Sequence, residues 1–345
     1  MERPGAGRAR LNALPAHQQT SGTISRLHIL ICRPNTRLGN TLLLTPLVQE
    51  IEQRLPGASV DVLTAYPEAD DVFCEYACVR RVHRLPLRGV RHPAAHVLTL
   101  LRARAQRYDL VLDPDPKSWS SRFAARLMRG AMKAGFASTH KPAGAYVSVP
   151  ITPAPPHMAR FPVFLLRRAV LGQSVEQALA PVPPLDIRLT AAERAEGARV
   201  LRELTGADSR PVIALAAAAT GAKRFAPQWW SALIAALQEQ ARGHALIEIR
   251  PPSGRAAFGS LPGFSSPRIR RVAAVIAACE LFACADSGLM HLGAASGGAT
   301  LGLFKVTDPQ VYAPYGGSSG ALQAADDAPT QTAREIAARL SAAGP

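Results

Sequence analysis

LFACADSGLMHLGAASGGATLGLF, residues 281–304, is the strongest local signal in the sequence. Its first six residues form an apolar run that ends at Asp286, which predicts a buried strand. Ser287 and Gly288 then make a tight turn, an apolar helix follows, and ATLGLF predicts a second strand. Two buried strands joined through a helix predict a parallel β–α–β unit.

The same alternation runs through both halves of the chain. In the first half it predicts strands at 27–32, 59–65 and 109–114 and helices at 40–55, 93–108, 120–130 and 160–171. In the second half it predicts further strands at 211–216 and 244–250 and helices at 227–242 and 269–278. Apolar strands alternating with amphipathic helices predict an α/β protein built from doubly wound parallel sheets.

The 345 residues suffice for two compact domains. Residues 1–22 lack hydrophobic periodicity, and we expect a disordered basic tail there. We predict an N-terminal Rossmann-like domain over 23–180, a proline-rich linker over 181–189 and a C-terminal Rossmann-like domain over 190–345. Two such domains facing across a cleft would bind ligand where the carboxyl ends of their strands meet.

The formal charge of +15 lies mostly in the first half. Residues 1–188 carry 25 Lys and Arg against 13 Asp and Glu, a net +12, with a basic cluster at Arg80, Arg81, Arg84, Arg88 and Arg91. Such a field attracts nucleic acid, an anionic membrane surface or a phosphorylated substrate. Aromatic and basic residues do not interleave as in nucleic-acid modules, so nucleic acid is the least favoured partner. No apolar run approaches the roughly 20 residues needed to cross a bilayer, so we expect a cytoplasmic protein.

Three strand–loop–helix segments carry candidate site residues. After the strand that ends at Asp286, Ser287 and the first helical N–H groups form an anion site, with Gly288 and His291 on the first turn. Lys223 follows the predicted strand 211–216 and can neutralise a departing diphosphate. Gly39 permits close approach of a ligand to the backbone, and Arg33 and Arg37 suit acidic groups. Taken singly, each segment is equally compatible with caps and surface residues.

Together the three segments resemble the heptosyltransferase family, glycosyltransferase family 9. The resemblance rests on RLGNTLLLTPLVQEIEQRLPGASVDVLT, on AKRFAPQWW and on ADSGLMHLGAASG followed by LGLFKVTDPQVYAPYG. It implies the GT-B fold and inverting sugar transfer without a metal or cofactor. It further implies a nucleotide-sugar donor on the C-terminal domain and a lipid-linked or phosphorylated glycan acceptor on the N-terminal domain, at the inner membrane. The implied donor-binding residues are Gly39, Thr220, Lys223, Asp286, Ser287, Gly288, Met290 and His291; Arg33 and Arg37 would bind the acceptor.

The sequence departs from that family at two places. Asn40 stands where the family usually has an aspartate that activates the acceptor hydroxyl, and an amide cannot take up that proton. Asp113 and Asp115 follow a predicted strand and are the candidates to replace it; the alternative for Asp113, which its place before Pro114 favours, is to cap a turn. Residues 216–219 are alanines where the family places hydroxyl residues, which leaves Thr220 as the nearest substitute.

Two functions follow from these features. The first is glycosyl transfer onto a lipopolysaccharide core or related envelope glycan, with ADP-heptose as the default donor and Asn40, Asp113, Asp115 and Lys223 as catalytic residues. The alternative, motivated by Asn40, is a catalytically weak GT-B protein that binds sugar nucleotide or envelope glycan as a scaffold. Turnover of a donor separates them.

Overall fold

A computed structural model of the chain describes residues 27–87, 89, 91–137, 147–150, 155–206, 208–259 and 261–342. The predicted tail at 1–22 lies outside these ranges, as does Arg88. The described residues form two compact units that divide between Pro183 and Pro184.

The first unit is built on one six-stranded sheet in the order β3-β2-β1-β4-β5-β6, with parallel pairings throughout. Its strands are β1 His28–Arg33, β2 Ser59–Thr64, β3 Val79–Arg84, β4 Tyr108–Asp113, β5 Gly130–Ala137 and β6 Val147–Pro150. Its helices are α1 Leu38–Leu42, α2 Thr45–Arg54, α3 Ala69–Phe73, α4 Pro93–Ala105, α5 Trp119–Leu127, α6 Phe161–Ala169 and α7 Val175–Ala178.

The second unit repeats this plan, with the strand order β12-β11-β10-β7-β8-β9 and parallel pairings. Its strands are β7 Val212–Ala216, β8 Ala245–Ile249, β9 Gly263–Phe264, β10 Leu281–Ala285, β11 Thr300–Phe304 and β12 Gly320–Gln323. Its helices are α8 Ala191–Thr205, α9 Pro227–Gln240, α10 Ile269–Ala277, α11 Gly288–Ala295, α12 Pro309–Tyr312 and α13 Pro329–Ala342, with a 3₁₀ turn at Gly221–Lys223.

These two parallel sheets confirm the predicted α/β, doubly wound fold class. One predicted element differs, because the single helix expected over 40–55 is divided into α1 and α2. Pro46 lies in the first turn of α2, where its missing N–H costs nothing, and the chain turns at Leu43 and Leu44 just before it.

Parallel pairing brings the carboxyl ends of neighbouring strands to one edge of each sheet. In the first unit the two central strands are β1 and β4, which end at Arg33 and Asp113. In the second unit they are β10 and β7, which end at Ala285 and Ala216. The loops after these four strands carry most of the candidate site residues.

Candidate functional site

The carboxyl edge of the second sheet joins two segments that lie far apart in the sequence. The loop after β7 contains Lys223, and the residue after β10 is Asp286. Because β7 and β10 are paired, the two side chains meet, and Lys223 Nζ lies 2.7 Å from Asp286 Oδ2. The side chain of Lys223 is 30% exposed, so the ammonium group is accessible from solvent.

Asp286 holds the side chain of Lys223 in place. Its carboxylate is buried and also accepts a hydrogen bond from the Thr307 hydroxyl. The ring of Tyr312 lies beneath the ammonium group, with Nζ 5.8 Å from the ring centroid. Asp286 therefore orients Lys223 and balances its charge, while the exposed side of the ammonium group faces solvent.

The start of α11 adds hydrogen-bond donors to the same edge. Ser287 occupies the N-cap position with extended backbone, but its side chain makes no capping hydrogen bond. Its Oγ atom is buried and has no partner within the part of the chain that the structure describes. Buried hydroxyls are normally satisfied, so this one is suited to a ligand. The first N–H groups of α11 lie beside it and favour an anion.

The rest of α11 is held tightly against the sheet. A Cβ atom at Gly293 would come within 2.6 Å of the Phe282 ring and the Thr300 hydroxyl. His291 is buried one turn after Ser287. Met290 has no exposed surface, and its Sδ would lie 2.4 Å from a Cβ at Gly302. A direct contact of Met290 with a donor would therefore require movement of α11.

The loop that carries Lys223 has its own supports. Gly221 has a φ of +60°, which glycine adopts without strain, and Thr220 beside it is exposed. Phe225 stacks on Trp229 at a centroid distance of 4.1 Å, and Trp229 Nε1 donates to the carbonyl of Ala325 at 2.8 Å. This aromatic anchor fixes the chain just after Lys223.

Sequence reasoning missed three residues at this edge. Thr307 and Tyr312 contact the Lys223–Asp286 pair, and Lys305 follows β11 with its Nζ 2.8 Å from Asp326 and 3.3 Å from the carbonyl of Arg224. All three lie within LGLFKVTDPQVYAPYG, a segment recognised as a whole but not residue by residue. Position could have identified Lys305, because it follows a strand adjacent to β10.

In the first unit, Arg33 connects Asn40 and Asp115. Arg33 is buried at the end of β1, and its Nη2 donates to Asn40 Oδ1 at 3.2 Å and lies 3.6 Å from Asp115 Oδ2. The other carboxylate oxygen of Asp115 accepts the N–H groups of Lys117 and Ser118, both at 2.8 Å. Arg37 is exposed and Gly39 is buried, both just before Asn40. The structure thus brings one predicted carboxylate next to the amide.

Asp113 requires a correction, because the structure contradicts its role as a candidate base. It has no exposed surface, and its Oδ2 accepts from Arg122 Nε at 2.7 Å. Its Oδ1 accepts from the Ser121 hydroxyl at 2.5 Å. Arg122 is itself buried and donates to the carbonyl of Phe136 at 2.6 Å. A carboxylate enclosed in this way stabilises the packing of α5 on the sheet and has no access to an acceptor hydroxyl.

The neighbouring cysteines are core thiols and not nucleophiles. Burial, together with the nearby Asp286 carboxylate, raises the pKa of the Cys284 thiol well above its usual value. Burial and Asp113 raise the pKa of Cys32 in the same way. The residues that the structure describes contain no group of three or more His, Cys, Asp or Glu that could hold a metal ion. Within the same residues no helix is both long enough and apolar enough to cross a membrane.

Comparison with known proteins agrees with this architecture. Residues 266–340 match the model of glycosyltransferase family 9 (heptosyltransferase), a range that includes β10, α11 and β11. No curated protein matches the chain.

Several solved structures share the fold. The Escherichia coli ADP-heptose lps heptosyltransferase II is 17% identical, with 92% of this chain and 99% of that chain covered and a TM-score of 0.71. The Escherichia coli heptosyltransferase WaaC, solved with ADP, is 20% identical over 92% of this chain and 99% of that chain, with a TM-score of 0.68. A glycosyl transferase family 9 structure from Veillonella parvula is 15% identical over 91% and 89%, with a TM-score of 0.67. The chain therefore shares its fold with these heptosyltransferase structures, and its match to the model of glycosyltransferase family 9 lies in the segment that contains the Asp286 edge.

Proposed function

We propose that the chain is an inverting, metal-independent glycosyltransferase that moves a sugar from a nucleotide diphosphate onto a lipopolysaccharide core or related envelope glycan. Heptose from ADP-heptose is the default donor. In this proposal the domain at 190–345 binds the donor, the domain at 23–180 binds the acceptor, and 181–189 is the linker. The WaaC structure that contains ADP supports adenine as the base.

The observation that carries the proposal is the Lys223–Asp286 pair beside Ser287. A lysine held at 2.7 Å from a buried carboxylate, yet 30% exposed, presents a fixed positive charge. The unpartnered Ser287 hydroxyl and the amino end of α11 add neutral donors. Cation, hydroxyl and helix N–H groups match the oxygens of a diphosphate, since charge-assisted hydrogen bonds are the strong ones. Gly288, His291 and Thr220 complete the proposed donor site, and Gly39 and Met290 are its outlying members.

The same groups suit the leaving step of sugar transfer. The acceptor hydroxyl oxygen forms a bond to the anomeric carbon, and the bond from that carbon to the diphosphate breaks. The bonding electron pair leaves with the diphosphate, so negative charge grows where Lys223 and α11 are placed to stabilise it. Lys223 supplies this charge from the protein, which is the basis for proposing that no metal is needed.

The proton of the acceptor hydroxyl needs a recipient. Asn40 cannot accept it, but its amide oxygen and Arg33 can orient the hydroxyl. Asp115 is the carboxylate next to them, and we assign it the role of general base. Arg33 and Arg37 would then contact acidic groups of the acceptor, and Asp113 supports this region by packing alone.

A second function is favoured by one specific observation. The amide of Asn40 accepts a hydrogen bond from the buried Arg33, which is a stable arrangement without a carboxylate at this position. A protein that binds a sugar nucleotide or envelope glycan as a scaffold would retain the donor site and lack turnover.

We place the protein at the inner-membrane surface in the cytoplasm, where a lipid-linked acceptor is reached. The net +12 of residues 1–188 supports attraction to anionic headgroups. Not all of the predicted basic cluster is available for this, because Arg80 pairs with Asp61 at 3.0 Å and Arg84 with Asp70 at 3.2 Å. The described remainder, Arg81 and Arg91, is exposed.

The test is a panel of nucleotide sugars read by thermal shift and then by turnover. Ligand that binds the native state raises the apparent stability, and we expect the largest shift from ADP-heptose. Turnover of that donor should continue in EDTA. Activity that disappears in EDTA and returns with magnesium would refute metal independence, and a thermal shift without turnover on any acceptor would favour the scaffold.

A further inference from the structure

Helix α4 of the first unit is almost unburied although it is apolar. Of its thirteen residues only Ala103 is fully buried, and Val97, Leu98 and Leu101 are large hydrophobic side chains that remain about half exposed. Helices in proteins gain most of their stability by packing an apolar face. Val97, Leu98 and Leu101 therefore present an apolar face of α4 to solvent.

The basic residues of α4 flank this apolar face. At about 100° per residue, Val97, Leu101 and Leu98 span an arc of about 100°, and the buried Ala103 lies opposite its centre. Arg102 and Arg104 fall on either side of the arc, and α4 contains no acidic residue. Exposed apolar side chains flanked by arginines are suited to a membrane interface, where the arginines can reach the headgroups.

Helix α5 continues this surface. Trp119 and Phe123, one turn apart, are 58% and 63% exposed, and Arg126 follows on the same face. Phe123 and Leu100 both line a pocket of about 240 Å³ that also contacts Leu87 and Thr36. This pocket is lined by residues of both α4 and α5, and it reaches the loop just after Arg33.

The charge around this surface is strongly positive. Residues 84–133 contain 11 Lys and Arg against 3 Asp and Glu. The three carboxylates are engaged within the unit: Asp109 accepts the His28 N–H, Asp113 binds Arg122, and Asp115 accepts the N–H of Lys117. An apolar face flanked by an excess of basic residues is complementary to an anionic bilayer and poorly suited to a second copy of itself, whose like charges would repel.

We propose that the apolar face of α4 and α5 inserts into an anionic lipid bilayer, with Val97, Leu98, Leu101, Trp119 and Phe123 entering the interface and the flanking arginines contacting headgroups. Trp119 and Phe123 suit that depth, because aromatic rings are enriched at the headgroup level. This inference deepens the proposed function, since it places the acceptor loop after Arg33 at the membrane surface. It does not depend on which sugar is transferred.

The experiment is co-sedimentation of the full chain with vesicles of phosphatidylglycerol and phosphatidylcholine in equal parts, or of phosphatidylcholine alone. We expect the double variant Val97→Ser, Leu101→Ser to bind the anionic vesicles at least about tenfold more weakly than the wild type. Val306→Ser is the matched control, because Val306 is an equally exposed apolar residue of the second unit, and it should bind like the wild type. Arg102→Gln should weaken binding about fivefold, and Arg334→Gln, an exposed arginine of the second unit, should not.

Insertion has a direct reporter in Trp119. The chain has three tryptophans, and Trp229 and Trp230 are buried. Brominated lipid should quench the wild-type fluorescence on anionic vesicles, and Trp119→Phe should lose that quenching while still sedimenting.

Three results would overturn the proposal: equal binding to phosphatidylcholine alone, wild-type binding by the Val97, Leu101 double variant, or no quenching of Trp119. A lipid-free dimer that the double variant abolishes would assign the face to a second copy instead. The double variant should bind ADP like the wild type. An error in the proposed donor site would appear in the ADP titration and would leave the vesicle binding unchanged. The two proposals can therefore fail separately.

Discussion

Two carboxylates occupy equivalent places in the two units and serve opposite purposes. Asp113 ends β4 and Asp286 follows β10, each on a central strand of a six-stranded parallel sheet. Each pairs with a cation at 2.7 Å. The cation of Asp113 is Arg122, which is 2% exposed, whereas the cation of Asp286 is Lys223, which is 30% exposed.

Position at a strand end is therefore not enough to make a carboxylate part of a binding site. In the first unit, Ser121 and Arg122 occupy both oxygens of Asp113, so the pair is closed. In the second unit, Asp286 holds Lys223 from one side only, and the unpartnered Ser287 hydroxyl lies next to it. Exposure of the cation and a neighbouring donor without a partner distinguish the binding pair from the packing pair.

The largest effect should come from breaking the buried Arg122–Asp113 pair. Arg122→Met leaves the Asp113 charge buried and uncompensated, and loss of one partner from a buried pair costs about 3–5 kcal/mol. Urea denaturation should show this loss in the free energy of unfolding. Lys223→Ala is the matched variant of the second pair and should cost less, because Lys223 is 30% exposed and the Thr307 hydroxyl still donates to Asp286. Equal losses in the free energy of unfolding would show that the two pairs contribute alike to stability.

The next effect concerns Asp115, the candidate base of the first unit that keeps some exposed surface. If Asp115 takes the acceptor proton, Asp115→Asn should lower kcat about 10²- to 10⁴-fold, because general base catalysis contributes that much. Asn40→Asp should raise turnover or leave it unchanged, since it adds a carboxylate beside Arg33. ADP affinity should be the same in both variants, which serves as the folding control. Full activity of Asp115→Asn together with inactive Asn40→Asp would show that the base is assigned wrongly.

Lys223→Ala should have an intermediate effect, on binding. Hydrogen bonds to charged groups contribute about 1.5–3 kcal/mol, so ADP should bind roughly 10- to 150-fold more weakly. Calorimetric titration measures this, with Lys117→Ala as a control because Lys117 is an exposed lysine of the first unit. His291→Ala should weaken binding less. Unchanged affinity in both Lys223→Ala and His291→Ala would remove the donor site from this edge.

The smallest effect is expected from Ser287→Ala. A neutral hydrogen bond contributes about 0.5–1.5 kcal/mol, so ADP affinity should fall by roughly two- to tenfold. The free energy of unfolding should stay the same or rise, because the Ser287 hydroxyl has no partner among the described residues. A clear loss of stability with unchanged affinity would mean that the hydroxyl is structural.

The sequence predicts the parallel units well, because apolar strands such as LFACA are short and sharply bounded. It does not predict β3, VRRVHR, since an edge strand with four basic or histidine residues lacks the apolar run that marks a buried strand. The charged helix α8, AAERAEGARVLRELT, was missed for a similar reason. Its Thr190–Glu193 capping box was the available signal.

For the site, the sequence predicts which residues lie at the carboxyl ends of the strands. It does not predict which of these residues contact each other. Lys223, Asp286 and Ser287 each follow a predictable strand, yet their contact depends on β7 lying next to β10, which is a long-range property. Asp113 shows the converse. It follows a predicted strand as the site residues do, and only the packing of α5 shows that Arg122, nine residues later, encloses it.

Hydrogen–deuterium exchange with and without ADP reports on both strand-end carboxylates in one experiment. If the Lys223–Asp286 pair is the donor site, ADP should slow exchange at residues 287–291 and 220–224 and leave residues 113–122 unchanged. Protection confined to residues 113–122, or no protection in the second unit at saturating ADP, would rule out a donor site at the Lys223–Asp286 pair.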